Sequence, residues 1–309
     1  MNILVTGATG YLGRAVAQRL HGAGHQVTAM ARGEAGLKAL AAGGFRPVRG
    51  DLTDPVSLRT AVEDADAVVE TGDADNDRAT EALLELVAGT GKRYLRTSGV
   101  GVYTELSCGE PSDTVHTEDT DFVPIPELSH RYNQDLRVMA AARNGAHTVV
   151  LRPGMVYGQG GSEQLPLLLR AALRDQVSRY TGQGLNRYPN VYLDDVARAY
   201  VLALESASPG SEYNLAADEA TMREIAEGIA EVLGLGEAVS TTLEDMAEVI
   251  GPRYAMGMAG NVRVDATKAR TELGWAPQGP SLTEDLVHGS YRKVWGHREV
   301  SLVTEAVTP

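Results

Sequence analysis

Cysteine is almost missing from this chain. Cys108 stands alone among 309 residues, so no internal disulfide can form. With one cysteine and scattered histidines, no metal-ligand spacing emerges, and no metal is expected. Lysine is scarce too: Lys38, Lys92, Lys268 and Lys293 are the full set, and arginine carries the remaining positive charge. That bias reads as a GC-rich coding sequence, not as function. The net charge of −13 leaves no basic surface to replace counterions on nucleic acid. It equally disfavours docking on anionic membranes. No apolar run approaches the roughly 18 residues needed to span a bilayer. The opening MNILVTGATG lacks a basic region followed by an apolar stretch and a cleavage site, so no signal peptide is expected. Together these absences predict a cytoplasmic protein with no nucleic-acid or membrane partner.

What is present is a chain able to build a core. Apolar residues make up 43%, and the length allows one large domain or two ordinary ones. Strand-like runs alternate with amphipathic stretches through the first half. NILVT (2–6) reads as a strand, and Leu12, Val16 and Leu20 then share one helix face. Strands at 25–31, 45–51, 65–71, 93–98 and 147–153 alternate with helices near 34–42, 55–63, 76–90 and 130–143. Six strands separated by helices predict an α/β doubly wound parallel sheet of the Rossmann type. After 154 the pattern is less regular, with helices near 163–175, 194–206 and 221–233 and a short strand at 211–216. Residues 299–309 read as a loose tail.

Residues 6–13, TGATGYLG, space Gly7, Gly10 and Gly13 in a G-x-x-G-x-x-G pattern between a strand and a helix. Glycines there permit a tight turn and close approach to a pyrophosphate. The helix N-terminus adds free N–H groups and a positive dipole end. A dinucleotide is therefore expected. The second strand ends in Ala31-Arg32, with no acid for a free ribose. A guanidinium suits a 2′-phosphate, so NADPH is favoured over NADH, with Arg14 as a helper. Glu34 is the residue that would instead serve an NADH ribose. Asp51 and Leu52 fall where a carboxylate would receive an adenine amino group; helix capping ahead of Pro55 is the plainer role.

Several stretches then add up: TGATGYLG, GDLTD (50–54), ADAVV (65–69), VVLRPGMVYG (149–158), NVYLDDVARAYVLALE (190–205), YNLA (213–216), DATKARTELGW (265–275) and SLTEDL (281–286). In this order they resemble the extended short-chain dehydrogenase/reductases, the NAD-dependent epimerase/dehydratase family. The resemblance implies a Rossmann domain, here 1–154 plus about 188–208. A smaller substrate domain would follow from 155–187 plus 209–298, with the active site in the cleft between them. It also implies a homodimer through the helices at 76–90 and 130–143. The cofactor set it implies is Gly7, Thr9, Gly10, Tyr11, Leu12, Gly13, Arg32, Asp51, Leu52, Thr71, Gly72, Asp73, Thr97, Pro153 and Met155.

The catalytic set departs from the family. Its members place a Ser or Thr after the fifth strand and a Tyr-x-x-x-Lys at the next long helix. Here the serine position reads Gly99, with Ser98 one residue early. Counting back from 151–153 puts Pro126 at the tyrosine and His130 at the lysine. No Tyr-x-x-x-Lys occurs within 95–150. Ser98, Tyr103 and His130 are the candidate catalytic residues, with Tyr132 and Tyr157 as further phenols. Losing a general acid forfeits about 10²- to 10⁴-fold in rate, whereas attack geometry supplies about 7–11 kcal/mol, so reduction of an activated carbonyl can survive. Asp194-Asp195 reads as capping and ion pairing. Tyr103, Met155, Tyr157, Arg187, Tyr188, Tyr192, Met256 and Met258 would wall a pocket for a large, flat ligand.

The expected activity is NADPH-dependent reduction of a small-molecule ketone on a bulky secondary metabolite. The sequence is similar in type to atypical antibiotic-pathway ketoreductases of the simocyclinone kind, acting on aromatic polyketides. Two alternatives stay open. One is a nucleotide-sugar epimerase or dehydratase, with Arg170, Arg174, Arg179, Arg187 and Arg253 to hold a diphosphate. The other is a non-catalytic NADPH-binding regulator.

Overall fold

The computed structural model describes residues 1–296. The stretch expected as a loose tail, 299–309, lies outside the described residues. Strand and helix alternate from the start: β1 (Asn2–Thr6), α1 (Tyr11–Gly22), β2 (Gln26–Ala31), α2 (Glu34–Ala42), β3 (Arg46–Arg49), α3 (Pro55–Glu63), β4 (Ala67–Glu70), α4 (Asp77–Val87) and β5 (Arg93–Thr97). A long connection leads to α5 (Ser129–Ala141) and β6 (His147–Pro153). The strands are apolar on both faces because helices cover both. Ile3, Val5, Val69 and Leu95 pack into one core layer, and Leu4, Val68, Tyr94 and Val150 into the other. On α1 the predicted face is buried at Val16 and Leu20. Asp54 caps α3 by accepting from the Val56 N–H, with Pro55 in the first turn.

The rest of the chain is shared between this layer and a smaller one. It runs β7 (Met155–Tyr157), α6 (Leu165–Asp175), β8 (Arg179–Thr181), β9 (Arg187–Tyr192), α7 (Leu193–Ser206), β10 (Ser211–Leu215), β11 (Asp218–Thr221), α8 (Met222–Leu233), β12 (Val239–Thr241), α9 (Leu243–Ile250), α10 (Pro252–Ala259), α11 (Thr267–Glu272), α12 (Leu282–His288) and α13 (Ser290–Trp295). The main sheet has the order β10-β6-β5-β4-β1-β2-β3 and is parallel throughout. The strand order reverses at β1, so a crevice opens beyond the carboxyl ends of β1 and β4. β9 lies between β11 and β7 in a second sheet, and β12 flanks β8.

The strand pattern suggests six strands in the main sheet, and the family resemblance implies a smaller unit that includes 209–298. Instead β10 adds a seventh strand beside β6. Its run SEYNL buries Tyr213 and Leu215 but also holds the polar Asn214 inside, so nothing apolar and continuous announces a central-sheet strand. Asp195, at the start of α7, accepts from the Gln278 and Gly279 N–H groups and pairs with Arg198. It thereby pins the segment at 278–279 against α7. No helix among the described residues is long and apolar enough to cross a membrane.

Candidate active site

The glycine turn is built for close approach. Gly7 has φ +70°, and a Cβ there would lie 2.5 Å from the Thr71 carbonyl oxygen. A Cβ on Gly13 would lie 2.2 Å from the Gly7 oxygen. Neither position tolerates a side chain. Gly10 caps α1 with extended backbone, no side chain caps the helix, and its first turn holds no acid. The N–H groups of that turn, Tyr11 and Leu12 among them, thus remain available to an anion. These features fit a dinucleotide pyrophosphate. The Tyr11 hydroxyl donates to the Gly158 carbonyl at 2.8 Å and ties this turn to the segment after β7. Thr9 packs its methyl toward α2: a Cβ on Gly36 would meet it at 3.4 Å.

At the end of β2, Arg32 and Glu34 resolve differently. Glu34 is held by Arg49 at 2.7 Å. The Arg32 guanidinium makes no hydrogen bond or ion pair among the described residues, though its charge helps to lower the Asp51 carboxyl, and its carbonyl accepts from Arg49 at 2.9 Å. Asp51 accepts from the Thr53 backbone and hydroxyl, which holds its carboxyl below the usual range, while Asp54 caps the helix. Leu52 reaches under the β4 loop, where a Cβ on Gly72 would lie 2.9 Å from its Cδ1.

The crevice at the carboxyl ends of β1, β4, β5 and β6 holds a cavity of about 470 Å³. Its walls include Tyr11, Leu12, Thr71, Gly72, Asp73, Thr97, Ser98, Gly99, Pro153, Arg131, Tyr188 and Arg253. Larger surface grooves, such as one of about 520 Å³ between α1 and α7, lie away from these strand ends. Met155 is buried and does not line the cavity.

Ser98 and Tyr103 are tied into a charged cluster under the sheet. The Ser98 hydroxyl donates to Asp135 at 2.8 Å, so its proton points away from the cleft. Asp135 also takes Arg96 at 3.1 Å and Arg152 at 2.9 Å, and all three are buried. Arg152 donates to the Tyr103 hydroxyl at 2.8 Å. Tyr103 is buried among His116 and Phe122, and burial pushes its phenol up to about 12 despite the nearby Arg152 charge. It does not line the cleft. Beside this cluster, burial raises the Glu70 carboxyl although Arg96, Tyr94 and Thr80 all bond to it. Thr97 bonds to the Tyr200 hydroxyl at 2.5 Å.

The positions taken for the tyrosine and lysine do not face the cavity. Pro126 starts a single 3₁₀ turn, Pro126–Leu128, that leads into α5. The His130 side chain is 41% exposed and turns to Asp75 at 3.0 Å. Its neighbour Arg131 enters the cleft instead. Arg131 grips Asp75 in two bonds of 2.8 Å, through Nε and Nη2. Its Nη1 has no partner among the described residues, and a Cβ built on Gly99 would stand 3.5 Å from it. Gly99 has φ −175°, so its backbone suits any residue. Arg253 of α10 reaches the same Asp75 at 2.5 Å. Burial alone would raise the Asp75 carboxyl, but the Arg131 bonds and the charges of Arg131, Arg253 and His130 bring it down to about 2.

Arg131, Asp75 and Asp135 escape the sequence reading. A signal for Arg131 was available: it lies four residues before Asp135, on the same helix face. Nothing in the loop at 71–76 signals Asp75. Of the expected pocket wall, Tyr188 lines the cleft. Tyr157 bonds to the Pro280 carbonyl, Met258 is buried in the second core, and Arg187 pairs with Glu219.

A profile of the NAD dependent epimerase/dehydratase family matches residues 3–216. An uncharacterised protein of Schizosaccharomyces pombe is 30% identical over 304 residues, covering 94% of this chain and all of that one. A 2-alkyl-3-oxoalkanoate reductase of Stenotrophomonas maltophilia is 33% identical over 228 residues, 68% of this chain and 67% of its own. Among solved structures, UDP-glucose 4-epimerase of Thermotoga maritima superposes with a TM-score of 0.74 at 22% identity, over 95% of this chain and 99% of that one.

Proposed function

The chain belongs to the NAD-dependent epimerase/dehydratase family, and from that premise we propose an NADPH-dependent ketoreductase that acts on a bulky carbonyl compound. The carrying observation is the free Arg131 Nη1, turned into the cleft beside Gly99. When bound, NADPH supplies the hydride. Gly7, Gly10 and Gly13 with the α1 N-terminus would hold its pyrophosphate, and Arg32 would hold its 2′-phosphate. Arg131 then offers a charged N–H to the substrate oxygen as negative charge grows there. One such donor is worth about 10²- to 10³-fold in rate.

The cavity of about 470 Å³ takes in cofactor-side residues such as Thr71, Gly72 and Thr97, and beside them Val156 and Tyr188 offer apolar wall to a ring-bearing ketone. This supports an aromatic polyketide ketone, a substrate class of antibiotic pathways. The Stenotrophomonas relative is a 2-alkyl-3-oxoalkanoate reductase, which supports a carbonyl as the reacting centre. Sugar epimerisation needs a base for an unactivated hydroxyl, and the Ser98 proton is engaged with Asp135.

Purified protein mixed with NADPH and a panel of polycyclic ketones should lose the near-ultraviolet absorbance of NADPH with at least one of them. Binding of NADPH without consumption by any ketone would point to a regulator. Turnover of a UDP- or dTDP-sugar with the cofactor returned would point to an epimerase.

A further inference from the structure

The Tyr188 ring walls the cleft, but its hydroxyl has no task in the mechanism above. Tyr188 sits on β9, the middle strand of the small sheet, and is 8% exposed. It lines the cleft, and its hydroxyl has no hydrogen-bond partner among the described residues. A Cβ on Gly101 would stand 3.6 Å from that hydroxyl, much as a Cβ on Gly99 would meet Arg131 Nη1 at 3.5 Å. Gly99 and Gly101 are two residues apart, so their Cα atoms lie within about 7 Å. A phenol and a guanidinium, carried by β9 and α5, therefore converge on one turn at the end of β5.

We propose that Tyr188 is the proton donor of the reduction and that Arg131 stabilises its phenolate. This rests on the ketoreductase assignment and names the catalytic acid within it. In the step, hydride adds to the carbonyl carbon and the C=O π pair moves to oxygen. The Tyr188 O–H bond breaks, and its proton forms the new O–H bond of the alcohol. The ketone is reduced and the nicotinamide dinucleotide is oxidised. Water entering the cleft reprotonates the phenolate beside Arg131.

The surroundings set the acidity. Burial pushes the Tyr188 phenol up, the Arg131 charge brings it down, and Glu163 raises it slightly. Asp73 and Arg253 also line the cleft. Burial outweighs the rest and the phenol stays above its usual range, and Arg131 is the charge that opposes that rise. The fold itself gains nothing from the Tyr188 hydroxyl. An unbonded hydroxyl does not stabilise, and a phenylalanine would fill the same space.

The test uses the full chain carrying 3-fluorotyrosine, whose ¹⁹F signals report phenol ionisation without any bound cofactor. Tyr188→Phe identifies the Tyr188 signal by its loss. In Arg131→Met the midpoint of that signal should rise by about one pH unit or more, and in Arg131→Lys it should stay near the wild-type value. Tyr188→Phe should keep its melting temperature and bind NADPH within about threefold of wild type, while kcat falls about 10²-fold or more. An unchanged midpoint in Arg131→Met, or a Tyr188→Phe rate within about threefold, overturns the proposal and leaves the ketoreductase assignment standing. A wild-type protein that reduces no ketone overturns both.

Discussion

His130 and Arg131 are neighbours with different fates. On α5 successive residues point about 100° apart, so one faces the solvent side of Asp75 and the other the cleft. His130→Ala should leave kcat/KM with a responsive ketone within about threefold, whereas Arg131→Met should lower it about 10²- to 10³-fold. Steady-state kinetics on both variants checks the pair, and a large His130 effect would return the proton chemistry to the imidazole. At the other end of the crevice, Arg32 makes no ion pair among the described residues while Glu34 is paired with Arg49. Arg32→Ala should therefore weaken NADPH binding far more than NADH binding in a titration. Equal losses would remove the case for a 2′-phosphate contact.

Among the elements, β5, β6 and α5 are held by charges that no solvent reaches. Asp135 of α5 is the shared counter-ion of Arg96 on β5 and Arg152 on β6. Removing it takes a buried counter-ion from both guanidinium groups and leaves Arg96 to Glu70 and Arg152 to Glu212, so Asp135→Ala should cost about 3 kcal/mol in urea unfolding. The capping box of α8 offers a contrast. Thr221 accepts from the Glu224 N–H, and Glu224 reaches back to the Thr221 N–H. Thr221→Ala should cost only about 1 kcal/mol, because water replaces the lost bond at a helix end. A smaller loss for Asp135 than for Thr221 would mean that the charged cluster does not organise the strand ends.

For the whole molecule, Asp75 joins the two sheets' surroundings across the cleft, since Arg131 comes from α5 and Arg253 from α10. Its carboxyl lies at about 2 in the fold against an ordinary 3.8. A depressed value stabilises the folded state above the unfolded pKa, and that contribution disappears as pH falls from about 4 to about 2. Glu70, Glu118 and Glu212 are raised by burial and act in the opposite direction. The difference between wild type and Asp75→Asn isolates the Asp75 contribution. Melting temperatures should be lower for the variant near neutral pH and converge with wild type toward pH of about 2. Parallel curves throughout would show that the link across the cleft contributes nothing.

The alternation of strands and helices, and the glycine turn before α1, were legible in the sequence because they rest on local rules. Apolar runs between helical faces require a covered parallel sheet, and glycine alone fits a positive φ against a neighbouring carbonyl, as at Gly7. The catalytic end was not legible in the same way. Its residues come from four places: the loop at 71–76, α5, β9 and α10. Which side of α5 faces the cleft depends on how Asp135 is locked between Arg96 and Arg152, a contact between β5, β6 and the helix. Strand β10 joined the main sheet for the same kind of reason, through pairing with β6 rather than through its own pattern. Local chemistry determined that a dinucleotide-type fold forms; only packing between distant segments decided which side chains meet in its cleft.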